Sequence, residues 1–362
     1  MSDLTIAGLL SEQVGSSSPA HELTLDIAGV LVRVRAREHE GLAPLASYFR
    51  SLLREQPGEP DFTIDLVQRH PLQLPLDWQD WPREAGKSGL KERFVDLPDG
   101  RLIWKVRTGM LFALTPTRAA AIGPCDDNSN QVINLVNNQY IAQVMDGRWA
   151  LCHAAGIGLG DAGLGLAGVS GAGKSTLALR LIEQGASFVS NDRLLVSRME
   201  DQVLMRGIPK QPRVNPGTLL SLPSLAGIVS AARASELESL PREELWDLEE
   251  KYDVDIEAVY GEGRQAAELP LRAFAVLTWS HRSREACQVT RTTLRDAPEL
   301  LGPIMKHPGP FFHQGGVYDT QGSVGELDPA PYLEALGDLP LLSFSGGVDF
   351  DRALAACQEA LA

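Results

Sequence analysis

From His21 onward, apolar and polar positions alternate. Leu23, Leu25 and Ile27, then Val30, Val32 and Val34, predict two strands joined at Ala28-Gly29. Leu45, Phe49 and Leu52 recur at helical spacing and predict a helix over 42–53. Strands follow at 62–67, 93–97, 102–106 and 111–115, with Pro98-Asp99-Gly100 as a compact turn between the middle two. Val132, Leu135, Val136, Ile141 and Val144 predict a helix over 132–145. Together these elements describe a small mixed α/β domain over 21–145, in which no motif carries chemistry. Residues 1–20, polar around Gly15-Ser16-Ser17-Ser18-Pro19, read as a loose lead-in. The Pro-rich stretch between Pro71 and Gly89 carries Trp78 and Trp81, which either mark a partner-binding loop or fold their rings onto the domain surface.

A second domain is expected over 146–362. Two apolar runs, 154–159 and 163–167, are separated only by Gly160-Asp161-Ala162. That gap is too short for a crossover helix, so the two strands must pair antiparallel. A helix is predicted over 174–184, with Leu177, Ala178, Leu181 and Ile182 on one face and Gly185 as its stop. A short strand ends in polar residues over 188–192. Buried-type strands are expected at 271–279, around Val289 and at 341–344, with a closing helix over 351–361.

A length of 362 residues suits two domains. The formal net charge of −14 argues against a nucleic-acid partner, because phosphate backbones require a basic surface. No apolar stretch is long enough to cross a bilayer, and no basic segment leads into an apolar core after Met1, so a soluble, cytoplasmic protein is expected. The four cysteines Cys125, Cys152, Cys287 and Cys357 lie far apart, which points to free thiols rather than a zinc site or a disulfide framework.

The chemistry concentrates in Gly168-Val169-Ser170-Gly171-Ala172-Gly173-Lys174-Ser175, with a strand pattern before it and a helix pattern after it. This is the spacing of a phosphate-binding loop. Small residues let backbone N–H groups close around phosphate oxygens, the lysine reaches the outer phosphates and the hydroxyl holds Mg²⁺. Unpaired N–H groups and the helix dipole point at the same place. Gly168, Ser170, Gly171, Ala172, Gly173, Lys174, Ser175 and Thr176 are therefore the candidate nucleotide-binding residues, with ATP and Mg²⁺ as the expected cofactors. Asp192, at the end of the next strand, is placed to be the second metal ligand beside Ser175, or simply to turn the chain. Arg206, Lys210 and Arg213 lie in a proline-rich loop, where they either bind phosphate or an acidic acceptor or are ordinary surface charges. His307 and His313, in a Pro/Gly-rich stretch over 297–322, are weaker candidates in a segment that could equally be a lid.

His153-Ala154-Ala155-Gly156, the phosphate-loop motif and Phe188-Val189-Ser190-Asn191-Asp192-Arg193, in that order, resemble the catalytic domain of the HPr kinase/phosphorylases. Met205-Arg206-Gly207-Ile208 is similar to an Arg-Gly segment that follows that family's core. The likeness spans about 150–215 and points to an HPr-kinase-related branch, such as type B, rather than a true HPr kinase. It implies an α/β phosphate-loop kinase domain with a mixed sheet, of the HPr kinase/phosphoenolpyruvate carboxykinase type, preceded by the smaller mixed α/β domain. It also implies a serine hydroxyl of a partner protein as acceptor, His153 in acid/base work, Arg206 near the transferred group, and the possibility of a homo-oligomer. The family usually has two adjacent aspartates where this chain has Asn191 and Asp192. An amide can orient a hydroxyl but cannot take its proton as a carboxylate does. An ATP-dependent, Mg²⁺-requiring phosphotransferase is thus the leading expectation. A nucleotide-binding regulatory protein without transfer and a small-metabolite kinase stand as the alternatives.

Overall fold

The alternating stretches at the start of the chain fold as the first of two units in a computed structural model. It describes residues 4–15, 20–56, 58–82, 89–145, 148–169, 171–241, 244–245, 248, 250–318 and 327–361. The first unit comprises residues 1–147 and 307–326, and the second 148–306 and 327–362.

In the first unit, β1 (His21–Ile27), β2 (Val30–Ala36), β3 (Phe62–Gln68), β4 (Gln79–Asp80), β5 (Glu92–Leu97), β6 (Gly100–Lys105), β7 (Leu111–Leu114) and β8 (Arg118–Gly123) form one sheet in the order β1-β2-β3-β8-β7-β6-β5-β4. β3 runs parallel to both neighbours, and the other pairs are antiparallel. Residues 6–14, read from sequence as part of a loose lead-in, instead form helix α1 (Ile6–Val14). Thr5 caps it by accepting from the Gly8 N–H, and Ile6, Leu9 and Leu10 pack on Leu102, Leu111 and Ile122. The helix over 42–53 is shortened to α2 (Ala43–Tyr48), flanked by 3₁₀ turns at Glu40–Leu42 and Arg50–Leu52. The later helix α3 (Ser129–Met145) begins three residues before its first expected apolar position, Val132. Both tryptophans of the Pro-rich stretch turn inward: Trp81 is 7% exposed, and Trp78 packs on Trp104 while donating to the Leu74 carbonyl.

Residues 307–318 return to this unit because Arg101 holds them there. Its fully buried guanidinium pairs with Asp96 at 2.6 Å and donates to the Pro310 carbonyl at 3.0 Å. His307 and His313 therefore fold with the first unit.

The second unit is built on a nine-stranded mixed sheet. Its early members are β9 (Ala150–Cys152), β10 (Ala154–Leu159), β11 (Ala162–Gly168), β12 (Ser187–Ser190), β13 (Leu194–Met199) and β14 (Gln202–Gly207). As the short connection requires, β10 and β11 form an antiparallel hairpin with Leu159 opposite Ala162. On its other side β11 runs parallel to the strand Glu268–Leu277, which in turn runs parallel to Leu341–Ser345. Helix α4 (Lys174–Glu183) and the closing helix Phe350–Leu361 share a core with Ala155, Ile157, Leu164 and Leu166. Burying a leucine such as Leu177 or Leu181 of α4 contributes about 2 kcal/mol. A second core, with Leu300, Leu301, Ile304 and the helix Ala330–Leu336, packs on Ala154, Ala167, Phe274 and Val276. The four cysteines are free and buried. Among the described residues, no helix is long and apolar enough to cross a membrane.

Candidate functional site

β11 ends at Gly168 with φ 152°, and the chain then turns through Gly171 (φ 81°) and Gly173 (φ 89°) into the first turn of α4. Two of these glycines are required sterically as well as conformationally. A Cβ at Gly168 would stand 2.6 Å from the Leu277 carbonyl oxygen, and one at Gly173 would stand 2.7 Å from the Phe350 ring. The loop is thus pressed against the end of the parallel strand and the start of the closing helix. Lys174 curls back over it, its Nζ donating to the Gly168 carbonyl at 2.8 Å and to that of Val169 at 3.4 Å. Ser170 lies outside the described residues. Thr176 is buried, and its hydroxyl is 2.8 Å from that of Thr218, so this side chain braces α4 and leaves Ser175 as the hydroxyl beside the loop.

Trp279 adds a prop that the motif does not announce. Its indole Nε1 donates to the Ala172 carbonyl at 2.7 Å, and its ring, 3% exposed, packs against Phe344 and Phe350. Trp279→Phe keeps most of the apolar contact but orphans that carbonyl. The variant is expected to lose about 1–2 kcal/mol of stability in urea titration, with looser nucleotide binding.

Sheet register brings the remaining residues together. In the β10–β11 hairpin Ala154 lies opposite Ala167, so His153, one residue earlier, falls at the loop end of the sheet. β12 pairs with β10 through Gly156 and Ser190, so the chain leaving β12 at Asn191 and Asp192 runs back alongside His153. β9 pairs with β13 through Cys152 and Leu194. The sheet therefore breaks at His153 on one chain segment and at 191–193 on the other, and the two breaks face each other. His153 Nε2 stands 3.2 Å from Asp192 Oδ1.

A third residue, which sequence reading missed, completes this cluster. Lys306 Nζ lies 3.3 Å from Asp192 Oδ2, with its side chain only 15% exposed. Its backbone is fixed: His153 N–H donates to the Ile304 carbonyl, Lys306 N–H to that of Leu151, and the Tyr332 hydroxyl contacts both Lys306 N and the Leu151 carbonyl.

The electrostatics join the loop to the cluster. Desolvation pushes the Lys174 ammonium down to about 8 from its ordinary 10.5. Lys306 and Lys251 press in the same direction and Asp192 opposes them, so all three charges are felt at Lys174. Desolvation works against the Asp192 carboxylate, but the hydrogen bond from His153 and the charges of Lys306, His153 and Arg193 outweigh it and hold its pKa well below the usual range. In a chain of net charge −14, this is a locally cationic site.

Both arginines of the basic stretch over 206–213 are ion-paired. Arg206 pairs with Glu268 at 2.7 Å across the sheet and lies over the Trp149 ring, and Arg213 pairs with Asp253 at 3.0 Å. Asn191 sits in the bend beside Asp192, half-buried.

As to a metal, no group of three or more His, Cys, Asp or Glu side chains is placed to hold one among the described residues. A half-exposed carboxylate such as that of Asp192 and a serine hydroxyl are the kinds of oxygen donor that an ion of the Mg²⁺ type takes, with the rest of its ligands coming from phosphates and water.

No protein-family model matches the chain, and no curated protein is similar to it. Among solved structures, it is similar to an HPr(Ser) kinase/phosphatase from Coxiella burnetii, at 12% identity over 58% of this chain and 87% of that one, with a TM-score of 0.28. Likeness at that level carries no argument about activity, and the site stands on its own geometry.

Proposed function

We propose that the second unit binds ATP at the loop 168–175 and transfers its γ-phosphate to a hydroxyl. The observation that carries this reading is the convergence of Lys174 with Asp192, His153 and Lys306 on one electrostatically coupled site. A phosphate cradle alone binds a nucleotide, whereas phosphoryl transfer also needs a metal-holding carboxylate, cations for the spreading charge and a group to meet the acceptor.

In this reading the backbone of Gly168, Gly171, Ala172 and Gly173 and the Lys174 ammonium hold the phosphates. Ser175 and Asp192 would hold Mg²⁺, which when bound neutralises charge on the phosphate oxygens. His153 keeps its Nε2 proton toward Asp192, which in the neutral ring leaves Nδ1 to accept a proton from the acceptor hydroxyl. Asn191 orients that hydroxyl. Arg206, already neutralised by Glu268, stiffens the sheet behind the site. The likeness of the sequence motifs to the HPr kinases supports a serine of a partner protein as the acceptor.

A second reading, a nucleotide sensor without transfer, is favoured by the amide at Asn191, which leaves the acceptor side one carboxylate short. Incubation with γ-labelled ATP, Mg²⁺ and fractionated lysate separates the two. Label on serine in a protein fraction supports the kinase, and label confined to low-mass material points to a small-metabolite acceptor. A rise in melting temperature with Mg-ATP but no label anywhere leaves the sensor. Asn191→Asp is expected to preserve or increase transfer, and complete loss would mean that the amide itself is required.

A further inference from the structure

Both oxygens of Asp192 are engaged: Oδ1 faces His153 Nε2 at 3.2 Å and Oδ2 faces Lys306 Nζ at 3.3 Å. A Mg²⁺-type ion bonded to a carboxylate oxygen at about 2.0–2.1 Å brings two positive charges beside any cation that already faces the same carboxylate, and the two repel. One partner must give way. His153 is tied in place by its own backbone at the break between β9 and β10 and carries a short, stiff side chain. Lys306 has a fixed backbone but a flexible four-carbon stem.

We propose that Lys306 is a built-in stand-in for the metal. It neutralises Asp192 while the site is empty, yields the carboxylate when Mg²⁺ arrives with the nucleotide, and turns its ammonium to the phosphates. The proposal rests on the nucleotide-binding reading and deepens it by assigning a competition between a lysine and a cation for one carboxylate. It also accounts for the anchoring of a lysine so far along the chain. The pairing of 304–306 beside Cys152 and His153, locked by the Tyr332 hydroxyl, leaves only the side chain free to swing.

Removing the ammonium should move two affinities in opposite directions. In Lys306→Met, Asp192 is left without its resident cation, so Mn²⁺ alone, measured by loss of the free-ion paramagnetic resonance signal, is expected to bind about tenfold more tightly than to the unmodified protein. A fluorescent ADP analogue in EDTA is expected to bind about tenfold more weakly, because one cation near the phosphates is gone. Lys306→Gln serves as a second neutral variant should the methionine disturb folding, and Lys306→Arg, which keeps the charge, should restore the unmodified pattern. In an Asp192→Asn background the gain in Mn²⁺ affinity must vanish, an effect that a merely structural lysine would not produce. Unchanged or weaker Mn²⁺ binding in a folded neutral variant overturns the proposal while the nucleotide reading stands. Failure of the unmodified protein to bind the analogue at all overturns the nucleotide reading, and this proposal with it.

Discussion

Replacing Lys174 with methionine is expected to weaken Mg-ATP binding about a hundredfold while leaving the fold at least as stable as before. The two halves of this result have one cause. In the free protein the ammonium is half-buried over the loop carbonyls, beside Lys306 and Lys251, and its pKa is driven down to about 8. The folded pKa is below the unfolded value of 10.5, so the cost of this desolvated charge is fully present below pH 8. Between pH 8 and 10.5 the folded chain sheds a proton that the unfolded chain keeps, and stability rises with pH. Lys174→Met removes that cost, so its melting temperature at pH 7 should match or exceed that of the unmodified protein.

The nucleotide reverses the balance, because phosphate charge favours the ammonium. Binding above pH 8 must therefore take up a proton, and affinity should fall toward tenfold per pH unit there. Calorimetry in buffers of different ionisation enthalpy measures the uptake. In Lys174→Met the slope should disappear. Equal affinity in the two proteins, or a pH-independent affinity in the unmodified one, would contradict the role given to this lysine.

Asp192→Asn is expected to reduce phosphate transfer by about a thousandfold at saturating ATP and to raise the Mg²⁺ concentration needed for half-maximal effect. The amide keeps the shape but loses the charge, leaving His153 and Lys306 facing a neutral group. The effect on folding should be small at neutral pH, about 1 kcal/mol or less, because the Asp192 side chain is 54% exposed and its ion pairs are screened. Its sign can still be read. The folded pKa lies below the ordinary 3.8, so the carboxylate contributes stability above that value and loses it as pH falls through the depressed folded pKa. The stability difference between Asp192→Asn and the unmodified protein should thus shrink as the solution is acidified below about pH 4. Undiminished transfer, or unaltered metal dependence, would remove Asp192 from the metal site.

The loop, its helix and the strand before it were legible in the sequence because each is local. Gly160-Asp161-Ala162 permits no connection other than a tight hairpin, which sets the start of β10 at the loop end of the sheet, while His153 itself stood out through the motif resemblance to the HPr kinases. Asp192 was legible from its place at the end of the next strand and from the same resemblance. Lys306 was not, because its place depends on 304–306 pairing beside Cys152 and His153, a contact between distant parts of the chain that no spacing encodes. The neighbouring His307 and His313, more conspicuous as chemistry along the chain, fold with the first unit. The ion pairs of the stretch over 206–213 were hidden in the same way. Arg206 and Arg213 look unpaired along the chain, but strand pairing sets them against Glu268 and Asp253. At the start of the chain, the Gly/Ser-rich flank after residue 14 obscured α1, although Thr5 and the spacing of Ile6, Leu9 and Leu10 already had the form of a capped amphipathic helix.

If the phosphate loop and the His153–Asp192–Lys306 cluster act as one site, a double-mutant cycle shows it. Mg-ATP affinity is measured by calorimetry at pH 7 for the unmodified protein, Lys174→Met, Asp192→Asn and the double variant. If both residues act on the same bound nucleotide, the losses are strongly non-additive, with a coupling of about 1 kcal/mol or more. Losses that simply add, to within about 0.3 kcal/mol, would mean that the loop and the cluster are separate features and would contradict a shared site.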